Sequence, residues 1–408
     1  MPQQTSWRKS EFHRRWLMQR ADNLFEFYQP NIVNPHGGFY ELDDHAKPLP
    51  STTRALVWTT RFIHCFSLGR HLGRPGSADI IDHGMHYLWN VHRDSKNGGY
   101  SNSNGDNGPV DATKQAYGHA FVLLAAASAK TAGHPDADRL LADITEILLT
   151  RFWEKNPGLT SEEYAADWSK ISNYRGQNSN MHLTEALMAA FEATRDNTYL
   201  AMANGIAQNL IQRITAQNQW RLPEHFDANW QIDTQTDQGD PVFRPAGSTP
   251  GHWLEWSRLL LQLWELGQRE HAWLPVASKK LFAQSIAEGW DSAKGGFYYT
   301  VDFTGQPLWR DRLWWPTCEG IGAATYLANL DADPLYEAWY DKLWGWTNAH
   351  LLNRKTNGWY MQLDDTLTPI QHIFTGQPDM YHALQAALIP LFATNASLTS
   401  TIGAGKPD

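Results

Sequence analysis

Gly295-Gly296-Phe297-Tyr298 is a tight turn running into aromatic residues, and it recurs as Gly37-Gly38-Phe39-Tyr40, Gly98-Gly99-Tyr100 and Gly358-Trp359-Tyr360. Two degenerate copies fill the gap, Gly158-Leu159 ahead of Glu162-Glu163-Tyr164 and Gln219-Trp220 ahead of Glu224-His225-Phe226. Successive marks stand 61, 60, 61, 76 and 63 residues apart, the rhythm of one structural unit repeated. Between marks the apolar spacing is helical. Gln115 to Ala129, Met181 to Thr194, His252 to Leu266 and Glu319 to Leu330 carry apolar residues at three- and four-residue intervals. After a short turn such as Gly133-His134-Pro135, a more polar amphipathic helix follows: Ala137 to Phe152, Thr198 to Ile214, Pro334 to Leu351. The unit is an inner helix, an outer helix and a Gly-aromatic hairpin. Six of them predict an all-α fold, an (α/α)6 barrel of twelve helices with short β-hairpins at one mouth.

Six units closing on one another make 1–408 a single domain, with loosely ordered tails expected at about 1–6 and 396–408. The stretched fourth unit places its extra residues around Asp233 to Gly247, a polar Gly/Pro/Asp-rich segment expected to form a lid or rim. A formal charge of −9 without a Lys/Arg cluster argues against nucleic acid or an anionic membrane as partner. The N-terminus reads as a charged amphipathic helix rather than a leader, so a cytoplasmic protein is expected. Cys65 and Cys318 lie far apart in apolar segments and are expected as reduced, buried thiols. The 20 Trp residues mostly fill gaps between helices, but a few lining a cavity would suit the C–H faces of a sugar.

Polar residues recur near the start of each inner helix. Counted from its own mark, Arg54 lies at +17, His119 at +21, His182 at +24, His252 at +33 after the insertion, and Glu319 and His382 at +24. In a closed barrel equal phase means equal height on the inner wall, so these residues are expected to converge on one cavity. Two sit in near-copies of a His-x-x-Glu motif, His182 with Glu185 and His252 with Glu255, in which the carboxylate can orient the imidazole. Such pairs also bind metals. One ion, however, needs all its ligands at about 2 Å, and opposite walls of a six-unit barrel would lie too far apart, so neither a metal nor any other cofactor is expected. There is no P-loop, no dinucleotide fingerprint and no nucleophile elbow.

Four blocks carry a family resemblance: Arg175 to Ala186 (RGQNSNMHLTEA), Thr249 to Trp256 (TPGHWLEW), Trp315 to Gly320 (WPTCEG) and Asp379-Met380-Tyr381-His382. Together, in this order and across essentially the whole chain, they resemble the N-acylglucosamine 2-epimerase superfamily, whose fold is an (α/α)6 barrel. The stretch Thr375 to His382 departs from the Lys-Gly-Pro-Phe-His-Val-Pro-like block of the amino-sugar epimerases. The Met-His-Leu-Thr-Glu and Gly-His-x-x-Glu-Trp forms are similar to the branch of mannose and sulfoquinovose aldose–ketose isomerases.

The resemblance implies interconversion of D-mannose and D-fructose through a cis-enediolate, with D-lyxose as a further possible substrate. It implies His252 and His382 as the general acid/base pair, with the division of labour open, and Arg54 beside O1/O2, supported by His182. Glu255 and Glu319 would orient the histidines or bind hydroxyls. Trp58, Tyr117, Trp253 and Trp315 are candidate stacking walls, His119 a further wall residue, and Arg244 a loop cation able to reach the substrate. Three alternatives stay open. The first is a 2-epimerase acting on mannose or cellobiose; the second a sulfoquinovose isomerase with Gln362, Gln377 and Arg244 on the sulfonate. The third is an (α/α)6 glycoside hydrolase, which needs two carboxylates flanking the scissile bond. Either a monomer or a homodimer fits the sequence.

Overall fold

The structure is a computed structural model that describes residues 6–51, 53–234, 240–377 and 379–404. Its helices run α1 (Glu11–Tyr28), α2 (Leu56–His71), α3 (Ser77–Tyr87), α4 (Ala116–Thr131), α5 (Ala137–Ile147), α6 (Gln177–Thr194) and α7 (Asn197–Ala207). They continue as α8 (Pro250–Leu266), α9 (Trp273–Gln284), α10 (Trp314–Leu330), α11 (Pro334–His350), α12 (Tyr381–Leu388) and α13 (Leu398–Gly403). The even-numbered helices α2 to α12 form an inner ring in which each touches the next, and α12 returns to α2. Outside it, α3, α5, α7, α9 and α11 each pack on the inner helix just before them in the chain. The first helix, α1, packs on the last inner helix, α12, so the two ends of the chain close the barrel. This is the expected (α/α)6 architecture.

Composition follows position. In α4, Ala116-Tyr-Gly-His-Ala-Phe-Val-Leu-Leu-Ala-Ala-Ala-Ser-Ala, only Tyr117 among these residues is not fully buried. An inner helix is packed on every side, so it shows little amphipathicity and uses small residues where neighbours come close. The outer α5 instead buries one stripe, Leu140, Leu141, Ile144 and Ile147, each such side chain contributing roughly 1.5–3 kcal/mol. Four outer helices end alike: α3, α5, α7 and α9 run into a π-helical turn, at Leu88–His92, Leu148–Phe152, Gln208–Ile214 and Ser285–Gly289, just ahead of the hairpin.

The strands do more than decorate the mouth. The two residues before an inner helix pair antiparallel with the hairpin of the next unit: Arg54–Ala55 with Asn104–Ser103, Lys114–Gln115 with Tyr164–Glu163, Arg175–Gly176 with Phe226–His225, and Arg312–Leu313 with Leu363–Gln362. Single bridges Ser248↔Val301 and Leu42↔Gln377 complete the ring. Each unit is thereby fastened to its successor at the end where the inner helices begin.

The expected loose C-terminal tail is corrected by α13, which packs against α2 and α4. Ser397 caps it, and the backbone N–H of Ser397 donates to the buried Glu192 carboxylate at 3.1 Å. At the other end, Trp7–Lys9 form a helical turn, and Arg8 donates to Glu337 at 2.6 Å. Residues 1–5 and 405–408, and 235–239 of the insertion, lie outside the described residues. Cys65 and Cys318 are buried free thiols. Among the described residues no helix is long and apolar enough to cross a membrane.

Candidate active site

A cavity opens at the mouth where the inner helices start. Its wall has two storeys, one helical turn apart. The upper storey comes from the second or third residue of each inner helix: Trp58, Tyr117, Asn178, His252, Trp315 and His382. The lower storey, three or four residues on, comes from the sixth residue: Arg61, His182 and Glu255 line the cavity, with Phe121 and Glu319 at the same level behind. Side chains three and four apart share a helical face, so one register delivers both storeys. Val242 and Phe243 from the inserted loop, with Trp314 and Phe374, complete the lining.

His252 and His382 are built alike. His382 Nδ1 lies 2.7 Å from Glu319 Oε1, whose other oxygen accepts from Arg258 Nε at 3.0 Å. His252 Nδ1 stands 3.0 Å from both oxygens of Glu224. Neutral groups complete that carboxylate: Gln177 Nε2 donates at 2.8 Å and the Thr249 amide at 3.1 Å, while Trp256 Nε1 holds the Gln177 carbonyl at 2.9 Å. A carboxylate at Nδ1 fixes orientation and tautomer, leaving Nε2 as the basic nitrogen. The Trp315 indole packs on both imidazoles, with ring centroids at 5.0 Å from His252 and 5.7 Å from His382. Gly251 makes room for it, because a Cβ there would meet the indole at 2.4 Å.

Below them lies a buried cluster of charge. Arg258 reaches Glu319, Glu185 (3.3 Å) and Glu255 (3.7 Å). Tyr381 Oη donates to Glu185 in a short hydrogen bond. Both Glu255 oxygens and His182 Nδ1 are buried without a hydrogen-bond partner. Burial, with Glu319 and Glu185 adding repulsion, pushes Glu255 well above the usual carboxylate range. For Glu319 burial pulls the same way but is outweighed by Arg258 and His382, which hold it low. Burial also depresses the imidazoles: His182 to about 4, and His382 below its ordinary value despite Glu319. Across the cavity, Arg61 donates to Asp379 at 2.8 Å and to the Tyr117 hydroxyl at 2.9 Å, with its guanidinium 4.5 Å from the Phe121 ring centroid.

The structure gathers His252, His382, His182, Glu255, Trp58, Tyr117 and Trp315 around one cavity, with Glu319 directly behind His382. It does not bring Arg54 there. Arg54 belongs to the strand ahead of α2 and pairs with Asp106 at 2.7 Å; the cavity cation is Arg61, which follows Gly37 at the same +24 offset as His182, Glu319 and His382. His119 is likewise structural: Nδ1 faces the Gln115 carbonyl at 2.7 Å and Nε2 accepts from the Tyr100 amide at 3.0 Å, tying helix to hairpin. Trp253 faces the opposite side of α8, fully buried, with its indole N–H on Ser248 Oγ. Arg244 pairs with Glu163 at 2.9 Å over Tyr174 in an adjoining chamber. Gln362 and Gln377 spend their amides on Asp311, Asp44 and backbone groups of the mouth.

The His-x-x-Glu reading also needs correction. His182 Nδ1 stands 3.9 Å from Glu185, beyond hydrogen-bond range, and 3.7 Å from Glu255; His252 takes Glu224 of the neighbouring hairpin instead of Glu255. Glu224 was visible only as part of a degenerate turn mark. Nothing in its spacing tied it to His252.

The profile of the N-acylglucosamine 2-epimerase (GlcNAc 2-epimerase) family matches residues 37–386. A D-mannose isomerase from Thermobifida fusca is 38% identical over 98% of this chain and 99% of its own, and one from Pseudomonas cannabina pv. alisalensis is 36% identical over 98% and 97%. A crystal structure of a D-mannose isomerase superposes with a TM-score of 0.88 at 33% identity, covering 94% of this chain and 98% of the other. Cellobiose 2-epimerase from Spirochaeta thermophila shares the fold, with a TM-score of 0.81 at 21% identity over 92% and 95%. By profile and by full-length relatives, the chain belongs to the N-acylglucosamine 2-epimerase family.

Proposed function

We propose that this protein is an aldose–ketose isomerase that interconverts D-mannose and D-fructose by proton transfer between histidine and the sugar. The observation that carries the proposal is the pair of carboxylate-backed imidazoles flanking Trp315, in a cavity whose lining includes aromatic rings, Arg61, Glu255 and a third histidine. Full-length relatives that bear the name D-mannose isomerase support the substrate.

We infer a division of roles from the way the two His–Glu pairs differ. Glu319 shares its charge with Arg258 and His382 is biased toward the neutral imidazole, the form a base requires. Glu224 meets only neutral donors, so its full charge is available to an imidazolium at His252. In this reading His252 gives a proton to the ring oxygen and recovers one from the anomeric hydroxyl, which opens the pyranose. His382 then takes the proton from C2 of the open-chain aldose and delivers one, exchangeable with solvent, to C1, while a proton passes from O2 to O1. The intermediate is an enediolate, and its negative oxygens need donors in a desolvated setting. Arg61 supplies a cation, and Glu255, which burial biases toward its neutral form, can donate a hydrogen bond. His182, neutral and unpartnered at Nδ1, stands beside it. Trp58, Tyr117 and Trp315 offer apolar faces to the sugar.

The test is proton NMR of the protein with D-mannose in D2O containing EDTA. Fructose carrying deuterium at C1 is the expected product. Glucose formed directly from mannose would place the chain with the epimerases, and absence of any exchange at C2 would overturn the proposal.

A further inference from the structure

We infer that the floor of this cavity is a binding site for one divalent transition-metal ion of the zinc class, held by His182, Glu255 and Glu185, and that its occupancy inhibits the enzyme. The sequence argued against a metal spanning opposite barrel walls; these three side chains instead come from the neighbouring inner helices α6 and α8. One ligand atom from each of His182, Glu185 and Glu255 lies within 4.8 Å of the others, and all three residues are buried. His182 Nδ1 stands 3.7 Å from Glu255 Oε1 and 3.9 Å from Glu185 Oε2. Ligand atoms around a tetrahedral zinc with bonds near 2.0–2.1 Å are about 3.4 Å apart. The two histidine–carboxylate distances need close by only a few tenths of an ångström to reach that spacing, and the two carboxylates approach each other from within 4.8 Å.

Two of the three ligands await a partner, while Glu185 already accepts from Tyr381 and Arg258. His182 Nδ1 and both Glu255 oxygens are buried without hydrogen bonds and face the cavity floor, whereas Glu319 and His382, which with Glu255 form a second such group, already satisfy each other at 2.7 Å. Glu185, Glu255 and Glu319 stand around the Arg258 guanidinium, and a divalent ion would take the place of the proton that burial favours on Glu255. An imidazole with two carboxylates suits Zn2+ or Co2+. Mg2+ and Ca2+ ask for six or more oxygen ligands and find too few here. Inhibition rests on the isomerase reading, since the metal would occupy His182 and Glu255, the groups assigned to the sugar oxygens; binding does not.

The experiment uses the full chain, stripped with EDTA and titrated with Co2+, then with Zn2+ in competition. Expected are one equivalent bound and the visible d–d absorption of tetrahedral Co2+, bleached by Zn2+. Separately prepared Glu255→Gln and His182→Gln, checked for a native melting transition, should each weaken the affinity at least about tenfold. With mannose as substrate, Zn2+ should raise KM while leaving kcat, EDTA should reverse the effect, and Mg2+ should do nothing. No d–d band in the parent, or an undiminished band in either folded variant, overturns the site. A band without mannose turnover leaves the site standing and sinks the isomerase reading instead.

Discussion

Glu224→Gln isolates the least anticipated element of the site. The substitution preserves shape and removes the charge 3.0 Å from His252 Nδ1. At that distance a carboxylate and an imidazolium attract by about 5 kcal/mol at an effective dielectric constant near 20, and the cost of burying the pair takes back part of this. The amide also meets Nδ1 in a different sense: if its N–H donates there, the imidazole proton moves to Nε2 and the ring turns the wrong tautomer to the sugar. Loss of charge and tautomer together should lower kcat/KM by about 10²- to 10⁴-fold, the scale of a lost general acid. Initial rates of fructose formation across pH measure it, with the melting temperature as control. Because Glu224 acts through His252, adding His252→Ala to Glu224→Gln should cost little beyond His252→Ala alone. A variant within fivefold of the parent, with an unchanged pH profile, would refute the reasoning.

Arg61→Ala should abolish measurable turnover because it removes the cavity cation and strands the buried Asp379 carboxylate, whereas Arg54→Ala should stay within a few-fold of the parent; steady-state kinetics of the two separates them. Gly251→Ala should lower kcat by at least about tenfold by driving the Trp315 indole off both imidazoles, and tryptophan fluorescence should shift with it. In kcat/KM against pH, the limb set by His382 should lie below the ordinary histidine value near 6.5, because burial favours the neutral base and activity rises as the proton leaves. Glu255 gives a stability signature of definite sign. Its folded-state pKa is raised, so above about pH 4.3 the unfolded chain releases a proton that the native state keeps, and stability falls as pH rises toward the folded value. Glu255→Gln should remove that decline and raise the melting temperature at neutral pH.

Much of the barrel was legible from the chain alone, for a local reason. A turn that needs glycine, followed by two helices of characteristic polarity, is encoded within about sixty residues, and six copies leave few ways to bury six apolar faces. Applied strictly at +24 from the turn marks, the offset selects Arg61, His182, Glu319 and His382, although His382 stands one helical turn higher than the other three, and in the two remaining units it lands on Val122 and Phe243. Arg54 misled because a basic residue just ahead of a helix looks in phase, while its backbone is already committed to the ladder with Asn104 and Ser103. His119 misled because its two ring nitrogens are consumed by the backbone of its own unit.

The sequence by itself determined the repeat, the inner and outer helices and the end of the inner ring at which the polar residues gather, because these follow from contacts within a unit. Only the tertiary structure decided who meets whom across units: Glu224 with His252, Arg258 with three carboxylates, Arg61 with Asp379. Those partnerships depend on the angle and spacing between neighbouring helices, set by the packing of the whole ring, and no periodicity along the chain records them.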